Sequence, residues 1–199
     1  SKEAATHEAI APDLLPDLGM NIMIPLNKEI ANPYETQQAI YRIKADVEGG
    51  APFVQDDRQQ IKLPLGKTFE LWVQSVRGPG DRSAKVPSGK EFAEFIEPNR
   101  FIDSDNERIK TLARTIVGDE KQPYEMAIKL EKGVHDRMQF DAGVGFPPAS
   151  QTAREFRGDC RQHALLLAAL LRASGIPSRT ALGVIYTREP GKGPVFAFH

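Results

Sequence analysis

The sequence contains one cysteine, Cys160, and four histidines among its 199 residues. A single cysteine excludes an internal disulfide and a metal cluster built on several cysteines. The histidines His7, His135, His163 and His199 do not have the H-x-x-x-H spacing of a metal site, and no acidic loop has EF-hand spacing. We therefore expect no metal and no cofactor.

The net charge is small, and the sequence lacks long apolar runs as well. The net charge is −1 at pH 7, which gives no reason to expect nucleic acid or an anionic membrane as a partner. No apolar run approaches the roughly 20 residues that a membrane-spanning helix needs. Hydrophobic content of 40% and charged content of 27% are ordinary for a globular protein. We expect a folded domain with no membrane span in this chain and no bound nucleic acid.

The pattern of apolar residues changes near residue 98. Three segments before it alternate between apolar and polar residues: 41–47, 61–65 and 69–73. This alternation, with glycines after each segment, is typical of half-buried strands. We interpret residues 1–98 as one domain, with an extended lead-in, an antiparallel β-sandwich-like unit over about residues 18–85 and a connector. Trp72 is interpreted as a packing residue rather than a platform on which a ligand stacks.

Beyond Pro98 the apolar residues recur with a helical period. Residues 104–107 have the pattern of a capping box, and a second helix is predicted to begin at Pro123, the favoured first residue. A loop at 141–150, rich in glycine and proline, is expected to form one wall of a cleft. His135 lies beside the apolar stripe of the second helix, so we interpret it as a surface or packing residue.

Cys160 lies in the first turn of a predicted helix whose two ends are marked. Asp159 is a natural N-cap, Gly175 suits the left-handed residue after a helix, and Pro177 prevents continuation. Leucines cover most of the circumference, which predicts a buried helix. A helix N-terminus can lower a thiol pKa from about 8.5 to roughly 3.5–7.5. Position alone leaves two interpretations open, a catalytic nucleophile and a small buried apolar residue.

The residues around Cys160 carry a family resemblance. The chain has G-D-C at 158–160, A-L-L-R-A-S-G-I-P-S-R at 169–179 and, after a strand-like segment, V-F-A-F-H at 195–199. This order resembles the transglutaminase-like superfamily, whose signature is a G-x-C helix start, an A-L-L-R-A-x-G-I-P-x-R close and a later His beside aromatic residues. The resemblance covers about the second half of the chain.

The resemblance implies a papain-like core over residues 99–199, with helices followed by antiparallel strands, and hence an α+β fold class. It implies that Cys160 attacks a glutamine or peptide amide carbonyl and forms a thioester. His199 would take the thiol proton and then protonate the leaving amine. The substrate would be a protein or peptide, with water or an amine as acceptor. The resemblance also favours an extracytoplasmic bacterial protein over a cytoplasmic one.

One part of the family pattern has no counterpart in this sequence. The family places an Asp on the strand after the His, whereas this chain stops at His199. We interpret this as a C-terminal truncation and expect weak or no activity, with a frayed His199. Because the first residue is Ser1, an earlier targeting segment stays open.

Other roles and functions also stay open. His163, three residues after Cys160, is the alternative base. Asp159 is interpreted as a cap rather than an acid, and the Cys160 backbone N–H as one oxyanion donor. A binding or scaffold module on the same fold is a second function, against which the retained Cys160 and His199 argue. A papain-like peptidase outside the superfamily is a third, but it would show an aromatic-rich stretch after the cysteine, and residues 161–163 are not aromatic.

Overall fold

The computed structural model describes residues 23–45, 53–76, 82–83, 85–87 and 89–199. The chain divides into two compact units. One contains Ser1–Ile24, Asp81–Thr187 and Phe196–His199, and the other contains Pro25–Gly80 and Arg188–Val195. Each unit contains residues from both sides of position 98. The division into domains 1–98 and 99–199 stays a prediction.

Among the described residues, four strands precede the first helix, and helices and strands are mixed after it. In chain order the elements are β1 (Met23–Pro25), β2 (Gln38–Lys44), β3 (Gln59–Leu65), β4 (Thr68–Gln74), a 3-10 helix (Lys90–Phe95), α1 (Glu107–Val117), α2 (Pro123–His135), β5 (Gln139–Phe140), α3 (Ala149–Glu155), β6 (Arg157–Gly158), α4 (Cys160–Ala173), β7 (Val184–Glu189) and β8 (Gly193–Phe198). Helices together with antiparallel strand pairs confirm the predicted α+β class. None of the described helices is long and apolar enough to cross a membrane.

The unit that contains Pro25–Gly80 is built on an antiparallel sheet with strand order β2-β4-β3. Phe69 and Leu71 are buried on one face, as the alternation predicts, whereas Ile40, opposite Trp72, is 50% exposed. On the face of Trp72, the ammonium of Lys62 lies 3.9 Å from the centre of the indole ring. The sandwich-like arrangement of this unit stays a prediction, and the part of it at residues 18–22 lies outside the described residues.

Local capping chemistry explains where α1 and α2 begin. Pro123 is the first residue of α2, as predicted. The N-cap of α1 is Asn106, whose side-chain oxygen accepts a hydrogen bond from the backbone of Arg108 at 2.9 Å. The predicted capping box began two residues earlier, at Ser104, so this prediction was wrong in its register.

Helix α4 lies at the centre of the helical unit and packs against α1, α2 and α3. Leu166 and Leu170 are fully buried, and Gly175 has the left-handed φ of 77° expected after the helix. Both predictions about this helix are therefore confirmed. The short helix α3 was not predicted as a separate element, because its seven residues carry no clear apolar period.

The strands after α4 bring the chain to its last residue. The sequence predicts a strand over residues 179–187, but β7 begins five residues later, at Val184. Strand β8 pairs with both β7 and β1. The backbone of His199 exchanges two hydrogen bonds with Gly183, each 2.9 Å long. This backbone pairing differs from the fraying expected at a chain terminus, because the pairing of β7 with β8 continues to the last residue.

Candidate active site

The start of α4 is held by a capping box. The Asp159 carboxylate accepts a hydrogen bond from the backbone N–H of Arg161 at 2.9 Å, and Gln162 Oε1 accepts one from the backbone N–H of Asp159 at 2.9 Å. The role of Asp159 as a cap is thus confirmed. Gly158, just before it, has φ of 154°, and a Cβ there would lie 2.5 Å from the Cβ of Gln162. Only glycine fits this close approach.

Cys160 is the first residue of α4, and its free thiol is half-buried. Burial raises the pKa of this thiol, and the nearby Asp159 carboxylate raises it further. The charge of Arg161 and the backbone N–H groups of Arg161 and Cys160 oppose this effect, but they do not reverse it. The lowered pKa that a helix N-terminus can produce is therefore not found, because burial first, and then the capping carboxylate at the positive end of the helix, favour the protonated thiol.

Arg161 forms a close ion pair with the capping carboxylate. Its Nε lies 2.9 and 3.0 Å from the two carboxylate oxygens of Asp159, and its Nη2 lies 2.8 Å from Oδ2. Burial alone would raise the pKa of Asp159, but the hydrogen bonds and the charge of Arg161 lower it. Asp159 is therefore ionised at neutral pH, and its charge is balanced by a fixed guanidinium.

The loop at 141–148 lies against the start of α4. Arg161 Nη2 donates to the carbonyl of Val144 at 3.2 Å, and Gln162 Nε2 donates to the carbonyl of Gly145. The Arg161 guanidinium also lies 5.0 Å from the ring centre of Phe146. These contacts bring the loop to the residues that directly follow Cys160, and its role as a cleft wall stays a prediction.

The two remaining candidate bases differ in their surroundings. His163 Nδ1 lies 2.8 Å from the backbone carbonyl of Asp159. Since a carbonyl only accepts, the neutral ring carries its proton on Nδ1 and leaves Nε2 as an acceptor. His199 is exposed at the end of the chain. Among the described residues, no hydrogen bond or ion pair joins the Cys160 sulfur to either ring.

His135 is a surface residue, as the sequence indicates. The side chain of His135 is 77% exposed, and its Nδ1 lies 3.6 Å from the Asp136 carboxylate. In the part of the chain that the structure describes, no group of three or more His, Cys, Asp or Glu side chains could hold a metal ion.

Sequence reasoning missed Gln162, although the signal was present. Asp159 and Gln162 are three residues apart, which is the spacing of a capping box, and Gln162 is fully buried. The ion pair of Arg161 with Asp159 and its contact with Val144 were not predicted either.

Three comparisons place these observations among known proteins. No match was found among curated protein sequences. A crystal structure of a protein from Cytophaga hutchinsonii, described as a candidate cysteine protease, is similar at 16% identity with a TM-score of 0.50. The similarity covers 88% of this chain but only 65% of that protein's length, and at this identity it shows the fold alone.

A family model matches the region that contains α4. The model is that of the transglutaminase-like superfamily, and it matches residues 110–199. This range includes the capped helix, Cys160 and the two strands that follow. The predicted resemblance to the transglutaminase-like superfamily is therefore confirmed over residues 110–199.

Proposed function

We propose that this chain is a cysteine-dependent enzyme that transfers an acyl group from a peptide or glutamine amide, with Cys160 as the nucleophile. One observation carries the proposal: the only thiol is the first residue of a capped helix inside the segment that matches the superfamily model. The Cytophaga hutchinsonii protein, which has a similar fold and is described as a candidate cysteine protease, adds support.

In the proposed reaction, Cys160 Sγ bonds to the substrate carbonyl carbon while His199 accepts the thiol proton. The carbonyl oxygen becomes an oxyanion, for which the backbone N–H of Cys160 is the proposed donor. When the C=O bond reforms, the C–N bond breaks and His199 returns the proton to the leaving amine. Water or an amine then attacks the thioester, gives its proton to the imidazole, and releases Cys160.

The raised thiol pKa defines what the base must do. Because burial and Asp159 favour the protonated form, Cys160 is a thiol at neutral pH in this chain. A nucleophilic thiolate therefore requires an imidazole that removes the proton as attack occurs. His199 is the proposed base, and His163, whose Nε2 is free to accept in the neutral ring, is the alternative.

Acetylation of Cys160 by p-nitrophenyl acetate tests this proposal without knowledge of the natural substrate. Although the activity is expected to be weak without the family's Asp, the folded chain should form one hydroxylamine-sensitive acetyl thioester, seen by intact mass, faster than the chain unfolded in urea at the same pH. Cys160→Ser should form none. His199→Ala should slow the reaction by about 100-fold, the lower end of what a positioned base contributes. If His163→Ala has that effect instead, His163 is the base.

The second candidate function is a non-catalytic module that binds a peptide or protein. The raised pKa of Cys160, together with the lack of an imidazole hydrogen bond to its sulfur among the described residues, favours this alternative. It would be preferred if the folded chain is acetylated no faster than the unfolded chain and both histidine variants leave the rate unchanged.

A further inference from the structure

Both ends of the loop at 141–148 are held by backbone and side-chain contacts. At its start, Asp141 N–H donates to Gly158 O at 2.9 Å and its carboxylate pairs with Arg157 at 2.8 Å. At its end, the backbone N–H of Ala149 donates to the carbonyl of Phe101 at 2.9 Å. These anchors fix where the loop begins and ends.

The middle of the loop depends on the two residues that follow Cys160. Arg161 donates to Val144 O at 3.2 Å and more weakly to Ala142 O at 3.5 Å, and Gln162 donates to Gly145 O. Apart from a long contact of 3.5 Å from Gln162 Nε2 to the carbonyl of Val144, no other hydrogen bond from outside the loop reaches residues 142–146 in the described part of the chain. Without Arg161 and Gln162, these carbonyls would have to be satisfied by water.

The side-chain amide of Gln162 has a separate partner for each of its two ends. Its oxygen accepts from the backbone N–H of Asp159 at 2.9 Å, which caps α4, and its nitrogen donates to the loop. Because Gln162 is fully buried, neither bond is replaced easily by solvent. One side chain therefore links the cap of the Cys160 helix to the position of the loop.

We propose that Arg161 and Gln162 are positioning residues that latch the loop at 141–148 to the start of α4 and so hold one wall of the Cys160 site. The latch comprises the hydrogen bonds from these two side chains to Ala142, Val144 and Gly145. Its role in acyl transfer rests on the proposed function, whereas the latch itself rests on geometry alone.

Arg161 also connects the latch to the chemistry of the thiol. The same guanidinium that reaches Val144 balances the Asp159 carboxylate, whose charge raises the pKa of Cys160. The positive charge of Arg161 lowers the pKa of Cys160, while burial and Asp159 raise it. Loss of Arg161 should therefore free the loop and leave the thiol facing an uncompensated carboxylate.

Hydrogen exchange in a Gln162→Glu variant tests the loop contact. This isosteric change keeps the oxygen that caps Asp159 but places a carboxylate against the carbonyl of Gly145. We expect the backbone amides of residues 141–146 to exchange about tenfold faster or more, while those of the first turn of α4 change little. Gln162→Met, which removes both bonds, should loosen both segments. Gln151→Glu is the matched control, because exposed Gln151 donates to Glu155 at 3.2 Å on α3.

The pH profile of Cys160 alkylation by iodoacetamide tests the effect of the Arg161 charge on the pKa of the thiol. Arg161→Gln should raise the apparent pKa of the thiol. Arg161→Lys keeps the charge but not the planar fork, and its thiol pKa should lie close to that of the unchanged chain. Arg154→Gln, at an exposed ion pair with Glu155, should leave the profile unchanged.

These measurements separate the latch from the proposed function, since neither uses a substrate. Unchanged loop exchange in both Gln162 variants would overturn the latch, even if Cys160 forms a thioester rapidly. Equal loosening of the loop and of α4 in Gln162→Glu would also overturn it, because general unfolding would then explain the result. Faster loop exchange with no thioester would support the latch and remove the enzymatic proposal.

Discussion

The helical unit around α4 and the unit built on the β2-β4-β3 sheet differ in how much apolar surface they bury. The main core of buried apolar side chains runs from Ile102 to Leu170, all in the helical unit. Among the described residues of the sheet unit, the buried apolar side chains are Phe69, Leu71 and Val195. A thiol whose surroundings must be fixed within a fraction of an ångström is better supported by the first kind of packing.

The largest loss of stability is expected from a leucine truncation, which can be made once in each unit. Leu170→Ala removes a fully buried side chain at the centre of the helical core, and we expect a loss of about 4 kcal/mol in unfolding free energy. Leu71→Ala in the sheet should cost about 2 kcal/mol, because fewer buried side chains surround it. Urea denaturation of both variants measures the difference. Equal losses would mean that the two units are packed to the same extent.

The second comparison is between a buried arginine in the helical unit and an exposed arginine in the sheet unit. Arg172 is only 7% exposed, and its guanidinium donates to the carbonyls of Ser178 and Glu97. Arg172→Met should cost about 3 kcal/mol, because it leaves these carbonyls without a donor. Arg42→Met in the sheet should cost less than about 0.5 kcal/mol, since Arg42 forms only an exposed ion pair with Glu70. A small loss for Arg172→Met would show that water satisfies these carbonyls.

Two glycines with positive φ form another matched pair. Gly158→Ala combines an unfavourable backbone angle with a clash against Gln162, and we expect a loss of about 3 kcal/mol. Gly66→Ala, in the turn between β3 and β4, meets open space at φ 58° and should cost about 1 kcal/mol. Thermal unfolding compares them. If Gly66→Ala costs as much as Gly158→Ala, the contact with Gln162 does not matter.

Acid stability should give the smallest difference. Despite burial, the hydrogen bonds and charge of Arg161 lower the pKa of Asp159 below its ordinary 3.8. Its ion pair therefore stabilises the fold above about pH 4, and this stabilisation is lost as the pH falls through the lowered pKa. Asp159→Asn should weaken the dependence of stability on pH below 4, whereas Asp56→Asn, at an exposed site in the sheet unit, should change it less. Urea denaturation at pH 7 and pH 3 decides between these results.

Several parts of the fold could be predicted because their causes lie within a few residues. The N-cap at Asp159, the first residue of α2 at Pro123 and the left-handed Gly175 all follow from local backbone chemistry. The alternation that buries Phe69 and Leu71 follows from the two-residue period of a strand. The N-cap of α1 was misplaced because Ser104 and Asn106 are both good caps and nothing local separates them.

The candidate site could be predicted only in part. The motif led to Cys160, and the resemblance led to His199, but the catalytic roles of both stay predictions. The contact between Gln162 and Gly145 joins residues that are 17 positions apart, so no local sequence pattern predicts it. Helix α3 was not predicted, because a helix of seven residues is too short to be stable by itself and depends on packing against α1 and α4.

Local sequence therefore determined where α4 begins and ends and which residue opens it, because capping groups satisfy backbone donors within one turn. Whether Cys160 becomes easier or harder to ionise depended on tertiary structure. Burial raises its pKa, and the rotamers of Asp159 and Arg161 decide which charge the thiol meets. Burial depends on segments that are distant in the sequence, so the residues next to Cys160 could not by themselves give the direction of its pKa shift.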